Sequence, residues 1–202
     1  MDKTFVLASN NAHKLREFRE IFSTLGLNVI SLKEAGVEVD PDENGTTFAE
    51  NAMIKARAVY EICRKPTVSD DSGLCVDALN GAPGVYSARY GNQPDDAARR
   101  AYLFKNMSAF KGEKRAAHFT SAIACVLNDE TSFTVEGYCF GRIADSEAGE
   151  GGFGYDCMFC PNEYGGKTFS EITPDEKNAI SHRGRALEKF VQKIREIQGE
   201  NK

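Results

Sequence analysis

The spacing of hydrophobic and polar residues along this chain predicts a succession of strands and helices. The apolar run at 4–9 predicts a buried first strand, and beyond a polar turn the apolar positions recur at helical spacing from Leu15 to Leu25. Thr47 followed by Glu50 has the capping-box pattern that typically begins a helix, so a second helix is expected there. The chain is therefore predicted to open as strand, loop and helix.

The middle of the chain predicts two pairs of strands. Short strands are expected at 67–69 and 74–79, on either side of an acidic turn at 70–73. Two longer strands at 118–127 and 132–142 should pair as a hairpin.

Further helices are predicted in the second half. One is expected at about 95–110, after a loop at 81–91. Thr173 and Glu176 bracket a proline in the manner of a helix start, and the last helix follows Ser181. Together these elements predict an α/β fold with a long mixed, partly antiparallel sheet flanked by helices.

Length and composition limit the class of protein. The 202 residues are 41% hydrophobic and 27% charged, which suits a globular protein with a sizeable core. Because no repeat, low-complexity run or linker interrupts them, we expect residues 1–202 to form a single domain of two interleaved lobes with a central cleft.

The net charge and the hydropathy of the chain limit the classes of partner that it is expected to bind. The net charge of −5 argues against broad binding of nucleic acid, so a small polyanion would need a few focused cations and a metal ion. No apolar run is long enough for a membrane span, and the first ten residues lack the apolar core of a signal peptide. A cytoplasmic location is therefore expected, with no membrane partner.

We interpret the cysteines as small residues of the core, in a protein that stays in a reducing compartment. They are Cys63, Cys75, Cys125, Cys139, Cys157 and Cys160. Only Cys157 and Cys160 form a CxxC pair, and a zinc site would require a second pair that the three histidines do not supply by their spacing. The role of the CxxC pair stays open.

The segment 151–159, GGFGYDCMF, places three glycines around one aromatic ring. Gly154 and the other two glycines allow close approach of a ligand, while Phe153 offers a flat π face and Asp156 an acceptor, with Tyr155 between them. The alternative interpretation is a glycine-rich hairpin loop with a core phenylalanine.

The first loop joins a strand to a helix, a junction whose N–H groups and helix dipole favour a phosphate. Its residues are Ser9, Asn10, Asn11, Ala12, His13 and Lys14. The glycines of a Walker A loop are missing, so an Asn-rich turn that only caps the helix is the alternative.

Two carboxylates, Asp70 and Asp71, stand beside Ser72. Neighbouring carboxylates on a tight turn repel each other unless a cation or solvent relieves the repulsion, so the motif favours a hard cation with oxygen ligands. Mg²⁺ commonly takes one or two carboxylates together with substrate phosphates, so Asp71 would need only one distant partner.

Several basic residues have both an ordinary and a functional interpretation. Lys55 and Lys177 would ordinarily be surface charge, but as point charges they suit contact with phosphates. His182 and Arg183 open the last helix and would ordinarily form an exposed turn there.

Five motifs together resemble one family. They are LASNNAHKLREF near the N-terminus, TTFAENAMIKA at 46–56, SDDSGLCVDAL at 69–79, GGFGYDCMF, and TPDEKNAISHRG at 173–184. In this order they resemble the inosine triphosphate pyrophosphatase family, the non-canonical purine nucleoside triphosphate pyrophosphatases. The resemblance runs from about residue 6 to about residue 190.

The resemblance implies an enzyme that hydrolyses the triphosphates of inosine, deoxyinosine and xanthosine (ITP, dITP and XTP) to monophosphate and pyrophosphate, cleansing the nucleotide pool as a homodimer. It implies Mg²⁺ on Glu43 and Asp71, with Asp71 also assigned as the base that prepares the attacking water. A carboxylate on Mg²⁺ is a weak proton acceptor, so Asp70, or acidification of the water by the metal, stays an alternative.

The resemblance also assigns substrate contacts. Phosphate contacts are implied for the first loop, with Ala12 and His13 acting through their backbone, and for Lys55 and Lys177. His182 and Arg183 are implied at the base edge, where donors suit a 6-keto oxygen and oppose a 6-amino group. The other implied substrate contacts are Ser72, Phe153, Gly154, Tyr155 and Asp156.

Two alternatives to this function stay open. One is a related nucleotide hydrolase with a different base preference, such as one for standard or modified pyrimidine triphosphates. The other is a non-catalytic regulator that binds nucleotides.

Overall fold

The computed structural model describes residues 3–199, which contain a six-stranded sheet and flanking helices. The strands are β1 (Thr4–Leu7), β2 (Asn28–Ser31), β3 (Thr67–Val76), β4 (Ala116–Val126), β5 (Ser132–Ile143) and β6 (Phe159–Pro161). The α-helices are α1 (Ala12–Thr24), α2 (Leu32–Ala35), α3 (Phe48–Cys63), α4 (Asp96–Met107), α5 (Pro174–Ile180) and α6 (His182–Ile197).

The sheet combines parallel and antiparallel pairs in the order β2-β1-β3-β4-β5-β6. Strand β1 runs parallel to β2 and β3, whereas β5 and β6 are antiparallel. The predicted α/β class with a mixed, partly antiparallel sheet is therefore confirmed, as is the adjacency of the two long strands β4 and β5.

Residue contacts divide the chain into two compact units, each assembled from separate stretches of sequence. Unit 1 comprises the described residues up to Asp71, Ala122–Glu136, and those from Ala186 onward. Unit 2 comprises Ser72–Ser121 and Gly137–Arg185. The single-domain organisation of the whole chain stays a prediction.

The core of unit 1 is a cluster of phenylalanines. Phe5 of β1 meets Phe22 of α1 edge-on at 5.2 Å between ring centroids, and Phe22 stacks on Phe190 of α6 at 5.1 Å. All three side chains are fully buried, so this packing anchors α1 against the first strand. It thereby fixes where the first loop and the start of α1 lie within the unit.

The core of unit 2 is also aromatic. Phe119 of β4 meets Phe159 of β6 edge-on at 4.8 Å, and the imidazole of His182 stacks on Phe119 at 4.8 Å with the planes only 14° apart. This stacking ties the first residue of α6 to the sheet.

The predicted helix starts are confirmed by their hydrogen bonds. At the start of α3, the Thr47 side chain accepts from the backbone N–H of Glu50, and the Glu50 side chain accepts from the backbone N–H of Thr47. Thr173 and Glu176 form the same pair of hydrogen bonds at the start of α5. Asp95 caps α4 by accepting from the backbone N–H of Ala98 at 2.8 Å.

Two local predictions are wrong. Strand β3 runs unbroken through the acidic motif, where a turn between two short strands was expected. The polar composition of 70–73 imitates a turn, but lysines of the neighbouring helices pair with the carboxylates and so allow them to lie buried in a strand. The expected loop at 81–91 largely consists of a kinked 3-10 segment, Gly84–Asn92.

Short elements escaped prediction altogether. They are β2, α2 and β6, each of which is too brief to show a periodic pattern. Among residues 3–199, no helix combines the length and the apolar character that a bilayer crossing requires.

Candidate active site

The first loop enters α1 through a side-chain cap. Asn11 Oδ1 accepts from the backbone N–H groups of His13 and Lys14 at 2.9 and 3.2 Å, and the Asn11 N–H donates to Ser9 Oγ at 3.2 Å. The side chains of Asn10 and Asn11 are exposed, as are those of Ala12 and His13. The cap that was considered as an alternative is therefore present, and a phosphate at this turn would share donors with Asn11.

Lys14 joins the first turn of α1 to the acidic motif in β3. Its ammonium lies 2.7 Å from Asp70 Oδ2 and also donates to the Asp70 carbonyl oxygen at 3.0 Å. The Asp70 side chain is fully buried, so this lysine supplies the positive charge that the buried carboxylate needs.

Lys55 of α3 brings two more of the predicted site residues together. Its ammonium lies 2.9 Å from Asp71 Oδ1 and 3.1 Å from Glu43 Oε2. Burial alone would lower the pKa of the Lys55 ammonium, but the charges of Asp71 and Glu43 raise it. Lys55 therefore stays protonated in contact with both carboxylates.

Asp71 is buried, with only 9% of its surface exposed, and lies within β3, not on the tight turn that the sequence predicted. Burial raises the pKa of its carboxyl, although the nearby ammonium of Lys55 opposes the shift. Its second oxygen, Oδ2, is buried and has no hydrogen-bond partner among residues 3–199. Such an oxygen is available to a ligand.

These carboxylates suit a hard cation. Among the described residues, no three or more histidine, cysteine or acidic side chains lie together in a way that could hold a metal ion. Mg²⁺ needs only one or two protein carboxylates when phosphates and water complete its shell. The buried Asp71 Oδ2 and the Glu43 carboxylate, both oxygen donors around one ammonium, fit that requirement.

In unit 2, the glycine-rich loop is ordered around the Asp156 carboxylate. Asp156 Oδ2 accepts from the Phe153 N–H at 2.8 Å, and a side-chain Cβ at Gly152 would lie 2.3 Å from the same oxygen. Gly152 also has φ of +80°, so only glycine suits this position. The Phe153 ring is 40% exposed, which contradicts the alternative of a core phenylalanine.

Lys177 lies against the same loop. Its ammonium is 2.7 Å from Asp156 Oδ2 and lies over the Phe153 and Phe169 rings at 5.0 and 5.3 Å from their centroids. The sequence suggested a lysine for phosphate contact; the structure gives it contacts that hold Asp156 and Phe153 in place.

Two residues of this motif are held by other elements. The Tyr155 ring belongs to the core of unit 2, and its hydroxyl donates to the Ser87 carbonyl at 2.9 Å. Burial raises the pKa of this hydroxyl, so it stays protonated. Gly154 is hydrogen-bonded by two side chains of α4, Asp96 and Arg100, which no sequence pattern had indicated.

Arg183 and Ser72 form the remaining pair of predicted residues. Arg183 is only 5% exposed, so an exposed turn at the start of α6 is wrong. Its Nη2 donates to Ser72 Oγ at 3.1 Å, while the buried His182 lies beside it against Phe119. Both side chains carry donors that can select an acceptor on a ligand.

The CxxC pair shows no metal-binding arrangement within the described residues. Cys160 is buried and its Sγ contacts the Gly166 carbonyl at 3.1 Å, whereas Cys157 is half-buried. Burial raises the pKa of Cys157 to about 11. Neither thiol has the environment of a reactive cysteine.

Comparison with known proteins gives consistent matches over nearly the whole chain. A dITP/XTP pyrophosphatase of Treponema denticola is 47% identical over 183 residues, covering 90% of this chain and 93% of that protein. One of Clostridium perfringens is 45% identical, covering 96% of this chain and 98% of its own. The solved structure of a HAM1 protein from Coxiella burnetii matches with a TM-score of 0.88 at 40% identity, covering 96% of this chain and 98% of that one.

A family model agrees with these pairwise matches. The model, described as the Ham1 family, covers residues 5–193, which include every predicted site residue. On these matches, the chain belongs to the Ham1 family.

Proposed function

We propose that this protein is a nucleoside triphosphate pyrophosphatase that hydrolyses dITP, XTP and ITP to the monophosphate and pyrophosphate. The relatives from Treponema denticola and Clostridium perfringens are named dITP/XTP pyrophosphatases and align over at least nine-tenths of the chain. The observation that carries the proposal is the buried Asp71 carboxylate, with one oxygen on Lys55 and the other available to a ligand.

We propose that Asp71 and Glu43 would hold Mg²⁺. When bound, the ion would neutralise phosphate charge and make a coordinated water more acidic. Lys55 keeps the two carboxylates at one place by contacting both, and its own charge adds to the field that attracts a polyanion. This arrangement explains how a chain of net charge −5 could bind a triphosphate.

The reaction needs a nucleophilic water and charge neutralisation at the phosphates. We propose in-line attack of water on the α-phosphorus: the new P–O bond forms as the bond to the bridging oxygen breaks, and pyrophosphate leaves. The water's proton goes to a carboxylate, for which Asp71 and Asp70 are the candidates. Asp70 already accepts from Lys14, and the Asp71 oxygen without a protein partner in residues 3–199 is the one proposed to hold Mg²⁺, so both carboxylates stay candidates for the base.

Base recognition is assigned to unit 2. The exposed face of the Phe153 ring suits stacking on a purine. Arg183 carries only donors, and His182 can present one, so both would donate to a 6-keto oxygen and leave a 6-amino group facing another donor. Such a mismatch of buried polar groups discriminates strongly between substrates.

One assay tests the function against its alternatives. Pyrophosphate release is measured with ITP, dITP, XTP, GTP, ATP and CTP, with Mg²⁺ present or chelated. We expect rapid release from ITP, dITP and XTP only, and none after chelation. Preference for CTP or ATP would support the hydrolase of different specificity, and binding without release of pyrophosphate would support the non-catalytic regulator.

We also propose that the protein is a homodimer that acts in the cytoplasm on the nucleotide pool. Sedimentation analysis at several concentrations tests the assembly, because a monomer at every concentration would contradict it.

A further inference from the structure

Helix α4 holds both sides of the Gly154 residue. Asp96 Oδ2 accepts from the Gly154 N–H at 3.2 Å, and Arg100 Nη1 donates to the Gly154 carbonyl at 3.1 Å. All three residues belong to unit 2. Each bond involves a charged side chain, which makes it stronger than an ordinary hydrogen bond.

Asp96 and Arg100, the two side chains that bond to Gly154, each form an ion pair of their own. Asp96 pairs with Arg99 one turn further along α4, and Arg100 Nε lies 2.9 Å from Glu147 Oε1. Asp96 is not needed to cap α4, because Asp95 does that. The side chain of Asp96 is therefore available for the loop, and the arginine–carboxylate pairs limit its freedom.

These contacts fix the backbone on both sides of Phe153. The peptide before it is fixed by the Phe153 N–H bond to Asp156, at 2.8 Å. The peptide after it contains the Gly154 N–H, which donates a hydrogen bond to Asp96 Oδ2. With both peptide planes set, the direction of the Phe153 Cα–Cβ bond is set too, and the Lys177 ammonium over the ring adds a further contact to this half-exposed side chain.

We propose that Asp96 and Arg100 are positioning residues that aim the Phe153 ring at the nucleobase without touching the substrate. The inference rests on the proposed function. It assigns base affinity partly to α4, an element that carries none of the predicted site residues. Their loss should weaken binding of the base and leave binding of the phosphates unchanged.

The kinetic test compares Asp96→Ala and Arg100→Ala with wild type, with Lys105→Ala as the control on an exposed position of the same helix. We expect KM for ITP to rise about tenfold in both, the effect of losing one charged hydrogen bond, with kcat nearly unchanged. Inhibition by inorganic tripolyphosphate, which has no base, should not change. Arg100→Lys retains a cationic donor and should restore part of the loss.

A double mutant tests whether the effect passes through the ring. If Asp96 acts by aiming Phe153, Asp96→Ala combined with Phe153→Ala should have the KM of Phe153→Ala alone. Additive effects, or equal weakening of ITP and tripolyphosphate, would overturn the inference. If Asp96→Ala does not fold, Asp96→Asn takes its place, because it removes only the charge. We then expect a smaller rise in KM for ITP, again with no change in inhibition by tripolyphosphate.

Hydrogen exchange separates this inference from the proposed function. In Asp96→Ala without nucleotide, amides in the segment 151–158 should exchange faster than in wild type, while those of the Lys105→Ala control should not. Faster exchange with no ITP hydrolysis by wild type would overturn the proposed function alone. Unchanged exchange, or faster exchange with unchanged KM in an active enzyme, would overturn the positioning role.

Discussion

Lys55 Nζ lies 2.9 Å from Asp71 Oδ1, so one oxygen of a buried carboxylate is neutralised while the other, Oδ2, has no partner among the described residues. A carboxylate satisfied on both sides would resist a metal or a water. This half-satisfied state leaves the second oxygen for a ligand, and it costs free energy that a ligand can recover.

Asp71→Asn should lower kcat for ITP by at least about 100-fold, because an amide is a poor metal ligand and cannot accept a proton. Asparagine has nearly the same volume and retains an oxygen for Lys55, so the melting temperature should change little. Asp129→Asn is the control, since that carboxylate pairs with Arg64 on the surface. Near-native turnover of Asp71→Asn at saturating Mg²⁺ would show that the assignment is wrong.

Phe153→Ala should weaken binding of ITP by about 1 to 3 kcal/mol through lost stacking, and leave binding of pyrophosphate unchanged. Calorimetry of both ligands measures the difference. Phe140 is a matched control, because its ring is 55% exposed, on β5. Equal weakening of both ligands would instead make Phe153 a residue that only maintains the loop.

Arg183→Ala should narrow the preference for ITP over ATP, mainly by slowing ITP and XTP hydrolysis. The side chain is buried and bonded to Ser72, so Arg183→Lys is included to separate lost selectivity from lost stability. The measurement is kcat/KM for ITP, XTP, GTP and ATP. GTP shares the 6-keto oxygen, so its rejection must depend on contacts near the 2-amino group. An unchanged ITP/ATP ratio in both variants would remove Arg183 from base recognition.

Gly184→Ala should lower stability by about 3 kcal/mol, the upper range for overpacking. A Cβ at this position would lie 2.1 Å from the Asn178 carbonyl oxygen, where α5 meets α6. Thermal unfolding measures the loss, and Glu188→Ala, on the exposed side of α6, provides the control. A melting temperature equal to wild type would mean that the two helices can separate without cost.

Alkylation of Cys157 in the folded protein should be slow at pH 8 and accelerate towards pH 11. Burial raises the pKa of this thiol to about 11, and only the thiolate reacts. Mass spectrometry after iodoacetamide treatment measures the rate, with urea-unfolded protein as the reference. Rapid modification at pH 8 would reopen a redox interpretation of the CxxC pair.

The sequence allowed prediction of the fold class and of the long, capped helices, because periodicity and capping boxes are local signals. The family resemblance, carried by five motifs, is confirmed. The conformation of Asp70 and Asp71 could not be predicted in the same way. Consecutive acidic residues favour a turn on their own, and the lysines that allow a buried strand lie 56 and 16 positions away in sequence.

The contacts that α4 makes with the glycine-rich loop could not be predicted from the sequence either. Asp96 and Arg100 look like ordinary charges in the first turns of a helix, and their partner Gly154 lies more than fifty positions later. A single sequence shows composition and local spacing, but it does not show which distant backbone groups a side chain will reach.

The unbroken course of β3 limits how this segment can evolve. Successive side chains of a strand point to opposite faces, so inserting or deleting one residue near Val68 would turn each following side chain over. Asp70 would lose Lys14 and Asp71 would lose Lys55 in one step, with each carboxylate directed at the other's surroundings. A replacement at one position leaves the other side chains on their faces of the strand, whereas a change in length displaces all those that follow.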